Sequence, residues 1–276
     1  MVRAILVIAA IVLVSCQVTF AALVTRTESF TGSPVNWTGL NNATYGFRNT
    51  NNTGGASPAG EVGGTFNRTT VKTHYADTTL RNDFGLGAET FFDAFDAFQA
   101  SGEVNVAASV SVNEFVGIGF FDSLETGPLA NAFMGFQLEQ GSPGNTILRS
   151  NAIQQGGSST TLPNGTYTFL ILYNPTFSGS DGRITTTLTN GVSTYTVFTD
   201  VVAGAKSGRS ASTGGYLNID AFGFVNGINN NDLTGQLEVY IDGLSYTGTP
   251  VPEPGSAVLA LIGSVGILML RRTRTA

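Results

Sequence analysis

Apolar and polar residues alternate along much of the chain, which is the pattern expected of half-buried β-strands. Residues 183–189 place Ile184, Thr186 and Leu188 on one face, and residues 237–242 alternate in the same way. We predict strands at these two segments and at six others, namely 27–31, 104–112, 115–121, 133–139, 192–199 and 217–225.

Residues 167–173 are almost continuously apolar and aromatic. Such a run is typical of a central strand that is buried on both faces, and we predict one here. Turn-forming residues separate the strands, as in the segment Pro163-Asn164-Gly165. Asn190-Gly191 stands between two alternating segments and predicts a hairpin.

Four phenylalanines are the one exception to the strand pattern. The spacing of Phe91, Phe92, Phe95 and Phe98 fits one amphipathic helix, and it also fits an irregular strand. The sequence leaves this choice open, but in both cases we expect the cluster to lie in the core.

Many short strands separated by Gly-rich and Asn-rich turns predict an all-β sandwich or barrel. Between about residues 102 and 247 the strand and turn residues resemble those of the concanavalin A-like lectin and glucanase superfamily. The segments that carry the resemblance are 116–121, 162–173, 181–188, 217–224 and 239–247. The resemblance implies a two-sheet jelly-roll sandwich of the concanavalin A-like (LamG-like) type and, loosely, a role that involves sugars.

The C-terminal part combines a short motif, an apolar run and a basic end. The motif is Val251-Pro252-Glu253-Pro254, and the uncharged run 257–270 follows it. The basic end consists of Arg271, Arg272 and Arg274. These parts, in this order, resemble the PEP-CTERM sorting signal of bacterial surface proteins. The resemblance implies that residues 250–276 are a sorting tail and that an exosortase-type membrane protease recognises Pro-Glu-Pro and processes it.

The apolar run predicts a marginal transmembrane helix. Fourteen to 16 helical residues span roughly 21–24 Å, whereas a hydrocarbon core is about 30 Å thick. The three arginines are expected to stay on the cytoplasmic side of the inner membrane during export. An ordinary C-terminal anchor that is never cut is the alternative.

The N-terminus has the order of a secretory signal peptide. Arg3 is followed by an apolar segment, residues 4–14, and then by small residues. Cleavage after Ala21 would make residues 1–21 the signal peptide, while Cys16 offers a competing lipobox. We favour Ala21, because a lipid at one end and a sorted anchor at the other would be redundant.

Residues 22–249 remain as a single predicted β-sandwich ectodomain. Four of the 13 basic residues and one of the 19 acidic residues lie in the two ends. The ectodomain therefore has nine basic and 18 acidic residues, a net charge of −9. A nucleic-acid partner needs a basic surface, so this charge excludes that class.

No catalytic motif is found in the sequence. The acid pattern of the superfamily's glucanases is missing, and Glu238 and Asp242 are about 13 Å apart on one strand, too far for a glycosidase pair. We expect them on a solvated face, with Asp242 and Asp220 bonded locally to backbone amides. His74 is the only histidine, and we expect it at the surface or in a turn.

Cofactor motifs are also missing, so we predict no cofactor and no metal site. Asn229, Asn231 and Asp232 vaguely resemble a Ca²⁺ loop, but their spacing departs from the usual pattern. Ca²⁺ stays an open alternative at this loop.

Three functions follow as hypotheses. The main one is a non-catalytic structural or adhesive protein, exported to the cell surface or extracellular matrix and associated with exopolysaccharide. The alternative is a carbohydrate-binding, lectin-like module in which Trp37, the only tryptophan, stacks on sugar; a partly buried core tryptophan is the competing interpretation. A glycoside hydrolase ranks third because no acid pair is found.

The two end signals predict that the mature protein lacks both ends. Intact-mass analysis of cell-surface material should show a chain that starts near Ala22 and has lost Arg271, Arg272 and Arg274. A chain that keeps these arginines in cells with the sorting protease would contradict the sorting hypothesis. An acyl mass on Cys16 would show that the lipobox is used instead.

Overall fold

The structure of the 276-residue chain is a computed structural model. The structure describes residues 24–40, 44–54, 60–67, 71–80, 97–110, 115–123, 133–142, 144–152, 155–177, 182–201, 220–226 and 236–248. These residues form fifteen strands in two antiparallel sheets, which confirms the all-β prediction.

Sheet A has eight strands. Seven follow the order β13-β12-β11-β6-β15-β4-β3, and β1 pairs with the second half of β15. Their bounds are β1 Val24–Glu28, β3 Tyr45–Arg48, β4 Glu61–Asn67, β6 Phe98–Val110, β11 Gly165–Asn174, β12 Arg183–Thr189, β13 Thr194–Asp200 and β15 Gln236–Gly248.

Sheet B has seven strands in the order β10-β9-β8-β7-β14-β5-β2. Their bounds are β2 Trp37–Leu40, β5 Thr73–Asp77, β7 Phe115–Phe121, β8 Phe133–Ser142, β9 Asn145–Ala152, β10 Gln155–Pro163 and β14 Ala221–Asn226. The main hydrophobic core lies between the two sheets.

The central strand β11 differs from its prediction. Tyr167, Phe169 and Ile171 are buried in the core, but Leu170 and Leu172 on the other face are 39% and 41% exposed. The run of apolar residues therefore does not mean burial on both faces: only one face packs on sheet B. The other face is an outer surface that carries exposed leucines.

Each predicted strand segment overlaps an observed strand, although the overlap of 27–31 with β1 is limited to residues 27 and 28. The predicted hairpin is also confirmed, since β12 and β13 pair across residues 190–193 and the Asn190 side chain accepts the Val192 and Ser193 amides. Strands β2, β3, β4, β5, β9 and β10 were not predicted. Of the four phenylalanines, only Phe98 lies among the described residues, at the start of β6 and buried in the core.

A buried carboxylate joins the two sheets at one end of the sandwich. Asp77 on β5 is fully buried, pairs with Arg26 of β1 and accepts the Tyr246 hydroxyl of β15 at 2.6 Å. Its second oxygen accepts the backbone amide and hydroxyl of Thr79 at 2.9 and 2.8 Å. A buried charge is tolerated when it is paired and hydrogen-bonded, and every contact here is of that kind.

The first and last described residues are neighbours. Val24 at the start of β1 pairs with Gly248 at the end of β15. Residues 1–23 and 249–276 thus connect to the sandwich at the same place.

Removing the phenolic hydroxyl of Tyr246 should destabilise the fold. Tyr246→Phe leaves the Asp77 carboxylate with one donor fewer, and a hydrogen bond to a charged group contributes about 1.5–3 kcal/mol. Chemical denaturation should show a loss of that size. Tyr195→Phe, at a half-buried position of β13, is the matched control and should change the unfolding free energy much less. Equal effects of the two substitutions would contradict the role given to Asp77.

Candidate functional site

A row of glycines crosses the middle of the outer face of sheet B. Gly223 on β14, Gly119 on β7 and Gly135 on β8 are in register with one another. A Cβ atom on Gly119 would lie 2.5 Å from the Met134 carbonyl oxygen, and one on Gly135 would lie 2.3 Å from that of Ile118. The close approach of neighbouring backbones therefore requires glycine in this row.

The outer face of sheet B is concave across this row. His74 of β5 is in register with Val225 of β14 and, through it, with Gly117 of β7. Phe121 lies four residues further along β7, about 13 Å on a flat strand, and yet the His74 and Phe121 rings are only 5.5 Å apart. Lys72, just before β5, likewise donates to the carbonyl of Asp122, just after β7.

Part of this concave face is apolar and buried. Five residues on it form a second, smaller hydrophobic cluster: Ala76, Phe121, Phe133, Ala221 and Val225. The Lys72 ammonium lies 5.2 Å from the centre of the Phe121 ring, within cation–π range. The face therefore combines an apolar floor with polar groups at its margins.

Polar side chains occupy the concave face on β8 and β9. Gln137 and Asn151 are both buried, and the Asn151 side-chain oxygen has no hydrogen-bond partner among the residues that the structure describes. Beside them the partly exposed Arg149 makes a bidentate pair with Glu139, at 2.8 and 3.2 Å. Buried polar atoms are normally satisfied, so the unpaired Asn151 oxygen indicates a place for an outside donor.

His74 corrects a prediction from the sequence. It is 5% exposed and lies inside β5, neither at the surface nor in a turn. The alternation of side chains along β5 directs His74 toward the concave face. Burial, and then the nearby Lys72 ammonium, lower the pKa of His74 to about 4. Its ring is neutral at pH 7, and its Nδ1 atom has no hydrogen-bond partner within the described part of the chain.

Trp37, the sequence-based candidate for sugar stacking, lies in the core between the sheets. It is 5% exposed and contacts Phe30 edge-on, with ring centroids 5.3 Å apart, and Tyr75 at 5.7 Å. This is the alternative that the sequence left open for it. The ring packs in the core cluster and does not lie on an outer face of either sheet.

The acids considered from the sequence have local partners. Glu238 accepts the Tyr240 hydroxyl at 2.5 Å, and Asp242 accepts the Gly243 amide at 2.6 Å. Asp242 is buried, so the expected solvated face is wrong for it, and burial raises its pKa. Asp220 accepts the amide and hydroxyl of Ser123, which follows β7, so its partner is distant in sequence.

No group of three or more His, Cys, Asp or Glu side chains that could hold a metal is found in the described parts of the chain. The loop with Asn229, Asn231 and Asp232 lies outside them, as do Ala21, the motif at 251–254 and the arginines at 271–274. Within the ranges that the structure describes, no helix is long and apolar enough to cross a membrane.

Three solved structures are similar to this chain to different degrees. Peanut lectin, in a complex with a nine-residue peptide, matches with a TM-score of 0.53 and 11% identity over 84% of this chain and all of its own. Lectin II from Ulex europaeus matches with a TM-score of 0.47 and 10% identity over 84% of this chain and all of its own. A GH43 protein from Bacillus licheniformis matches with a TM-score of 0.46 and 9% identity over 82% of this chain and 39% of its own.

At these identities the likeness shows the fold alone. The match to peanut lectin confirms the predicted two-sheet jelly roll of the concanavalin A-like type. No protein-family profile and no curated protein matches the sequence.

The polar residues of the concave face were missed in the sequence. Gln137 and Glu139 lie on a predicted strand, where they alternate with buried Phe136 and Leu138. That alternation was the available signal. Asn151 lies on β9, which the sequence did not predict.

Titration of the single histidine tests this description. The unfolded chain takes up a proton near the ordinary pKa of 6.5, whereas the folded chain does so only near pH 4. Stability that is fully present above pH 6.5 should therefore decrease by about 3 kcal/mol as the pH falls to 4. NMR of the only imidazole should give the low pKa directly, and His74→Phe should remove this part of the pH dependence. An imidazole that titrates near 6.5 would contradict the buried position.

Proposed function

We propose that the protein is an exported, non-catalytic cell-surface protein whose sandwich binds carbohydrate on the concave face of sheet B. One observation carries the proposal. In a fold shared with lectins, this face holds buried polar atoms, the Asn151 oxygen and His74 Nδ1, that have no partner among the described residues.

Sugars suit such a surface because each hydroxyl can both donate and accept a hydrogen bond. The Asn151 oxygen needs a donor, and the neutral His74 ring can serve in either role. Leaving such buried atoms unpaired costs about 1–3 kcal/mol each, and a bound hydroxyl would recover that cost. The Arg149–Glu139 pair at the margin supplies further polar contacts.

The proposed route to the surface rests on the two ends of the sequence. A signal peptide ending at Ala21 and a sorting tail at 250–276 would place the sandwich outside the inner membrane. The pairing of Val24 with Gly248 is compatible with this, since both proposed membrane segments join the sandwich at one place. The domain could fold while both segments are still inserted.

The absence of catalysis is also part of the proposal. Glu238, Asp242 and Asp220 each accept hydrogen bonds from neighbouring groups, and none of them forms a carboxylate pair with another. Release of reducing sugar from any glycan that the protein retains would overturn this part.

A soluble-glycan screen tests the binding site. The full chain should be purified in a detergent without a sugar headgroup, and the glycans that it retains should then be titrated. Asn151→Leu and His74→Phe keep side-chain size but remove the polar atoms, so each should weaken binding about tenfold, which corresponds to about 1.4 kcal/mol.

Asn105→Leu on the outer face of sheet A is the matched control, because Asn105 bonds only the nearby Thr166 hydroxyl at 2.8 Å among the described residues. It should leave the affinity within about twofold. A wild-type chain that retains no soluble glycan, or concave-face variants that bind as tightly as wild type, would contradict the proposed site.

A further inference from the structure

The outer face of sheet A, on the opposite side of the sandwich, carries two rows of uncharged side chains. The first row runs straight across four strands and consists of Phe198, Thr185, Leu172 and Gln99. The second row, two residues along each strand, consists of Thr196, Thr187, Leu170 and Ser101. We call these eight residues the flat face.

The flat face is regular as well as uncharged. Strands β11, β12 and β13 pair without a register shift, so the rows stay aligned. Leu170 and Leu172 on β11 and Phe198 on β13, with β12 between the two strands, are each about two-fifths exposed. A face that combines exposed apolar side chains with polar ones is a candidate binding surface.

A cavity opens next to the first row. It has a volume of about 180 Å³ and lies where β6 begins and β11 and β15 end. Leu172 and Gln99 of the flat face line it, together with Thr247, Ala97, Phe98 and Tyr173. The first row therefore runs from the Phe198 ring, one face of which is covered by Arg183, to a recess at the other end.

The charge of the ectodomain restricts which ligands can bind the flat face. The ectodomain carries a net charge of −9, which would repel an acidic ligand. Arg183, at the border of the flat face, lies between the Phe177 and Phe198 rings and makes a bidentate pair with Asp200 at 2.5 and 2.8 Å. Its charge is thus already matched, and a neutral partner fits this face.

Area argues against a second copy of the chain. With strands about 4.8 Å apart and residues i and i+2 about 6.7 Å apart, the eight residues cover roughly 20 Å by 13 Å, about 260 Å². A stable protein interface buries about 800 Å² on each partner. The flat face is therefore small for a dimer, but an extended chain one sugar wide could lie along a row.

We propose that the flat face is a second carbohydrate site, which takes a neutral, extended polysaccharide lying across β13, β12, β11 and β6. The sugar rings place their apolar faces on Phe198 and Leu172, and their hydroxyls bond Thr185 and Gln99. The site is separate from the concave face and does not depend on it. With both faces in use, one sandwich joins two polysaccharide chains and gains avidity on a surface.

Retention on insoluble cellulose, with alginate as the acidic comparison, tests this site. The wild-type full chain, in a detergent without a sugar headgroup, should be retained on cellulose and not on alginate. Leu172→Asp should reduce retention at least tenfold, because it puts a charge in the middle of the row. Phe198→Thr, which keeps a strand-forming residue, should reduce it several-fold.

Val192→Asp is the matched control, since Val192 is 92% exposed and lies in the turn between β12 and β13, outside the two rows. It should stay within twofold of wild type, and so should the concave-face variant Asn151→Leu. Circular dichroism should show that each variant is folded.

Several results would overturn the proposal. The first is a wild-type chain that is not retained on cellulose. The second is a folded Leu172→Asp variant that is retained on cellulose as well as wild type. The third is a wild-type chain that is retained on alginate as strongly as on cellulose. Conversion of an oligomer to a monomer by Leu172→Asp, with cellulose retention unchanged, would assign the face to a second copy instead. Loss of retention with Asn151→Leu would assign the cellulose binding to the concave face.

Discussion

The close approach of backbones at the glycine row of sheet B is the constraint on which the concave face depends. Gly223, Gly119 and Gly135 leave no room for a Cβ atom between neighbouring strands. Without side chains in this row, His74 and Lys72 can reach the far end of β7 across the face. The curvature of the face, and with it the contact between the His74 and Phe121 rings, depends on those three positions.

Sheet A differs from sheet B, because its long strands bury one face in the core and leave the other face flat. Strand β15 crosses the core with Val239 and Ile241 inward, and then with Leu244 and Tyr246 inward. The change of parity occurs at Gly243, whose φ of +57° lies in the left-handed region, and the Asp242 carboxylate accepts its amide. This bulge lets Tyr246 reach Asp77, which ties sheet A to sheet B.

The sequence predicted the features that depend on local pattern. Alternation identified the strands of the second half, and Asn190-Gly191 identified the hairpin, because both signals lie within a few residues. It did not predict β4, which contains Gly63 and Gly64, or the burial of His74, because those depend on strands distant in sequence. Leu170 and Leu172 misled the prediction of burial, since apolar residues on an outer face resemble those of a core.

The site residues also depend on contacts that are distant in sequence. Trp37 was chosen for its chemistry, but the fold places it between Phe30 and Tyr75 in the core. Asn151 and Gln137 come together only through the pairing of β8 with β9. His74 is the only histidine in the sequence, so one imidazole signal in an NMR spectrum reports on the concave face. The most direct test is to record its ring nitrogens while a retained soluble glycan is added: binding on this face predicts a saturable shift of the His74 Nδ1 resonance, whereas a signal that stays unchanged while the glycan binds would contradict it.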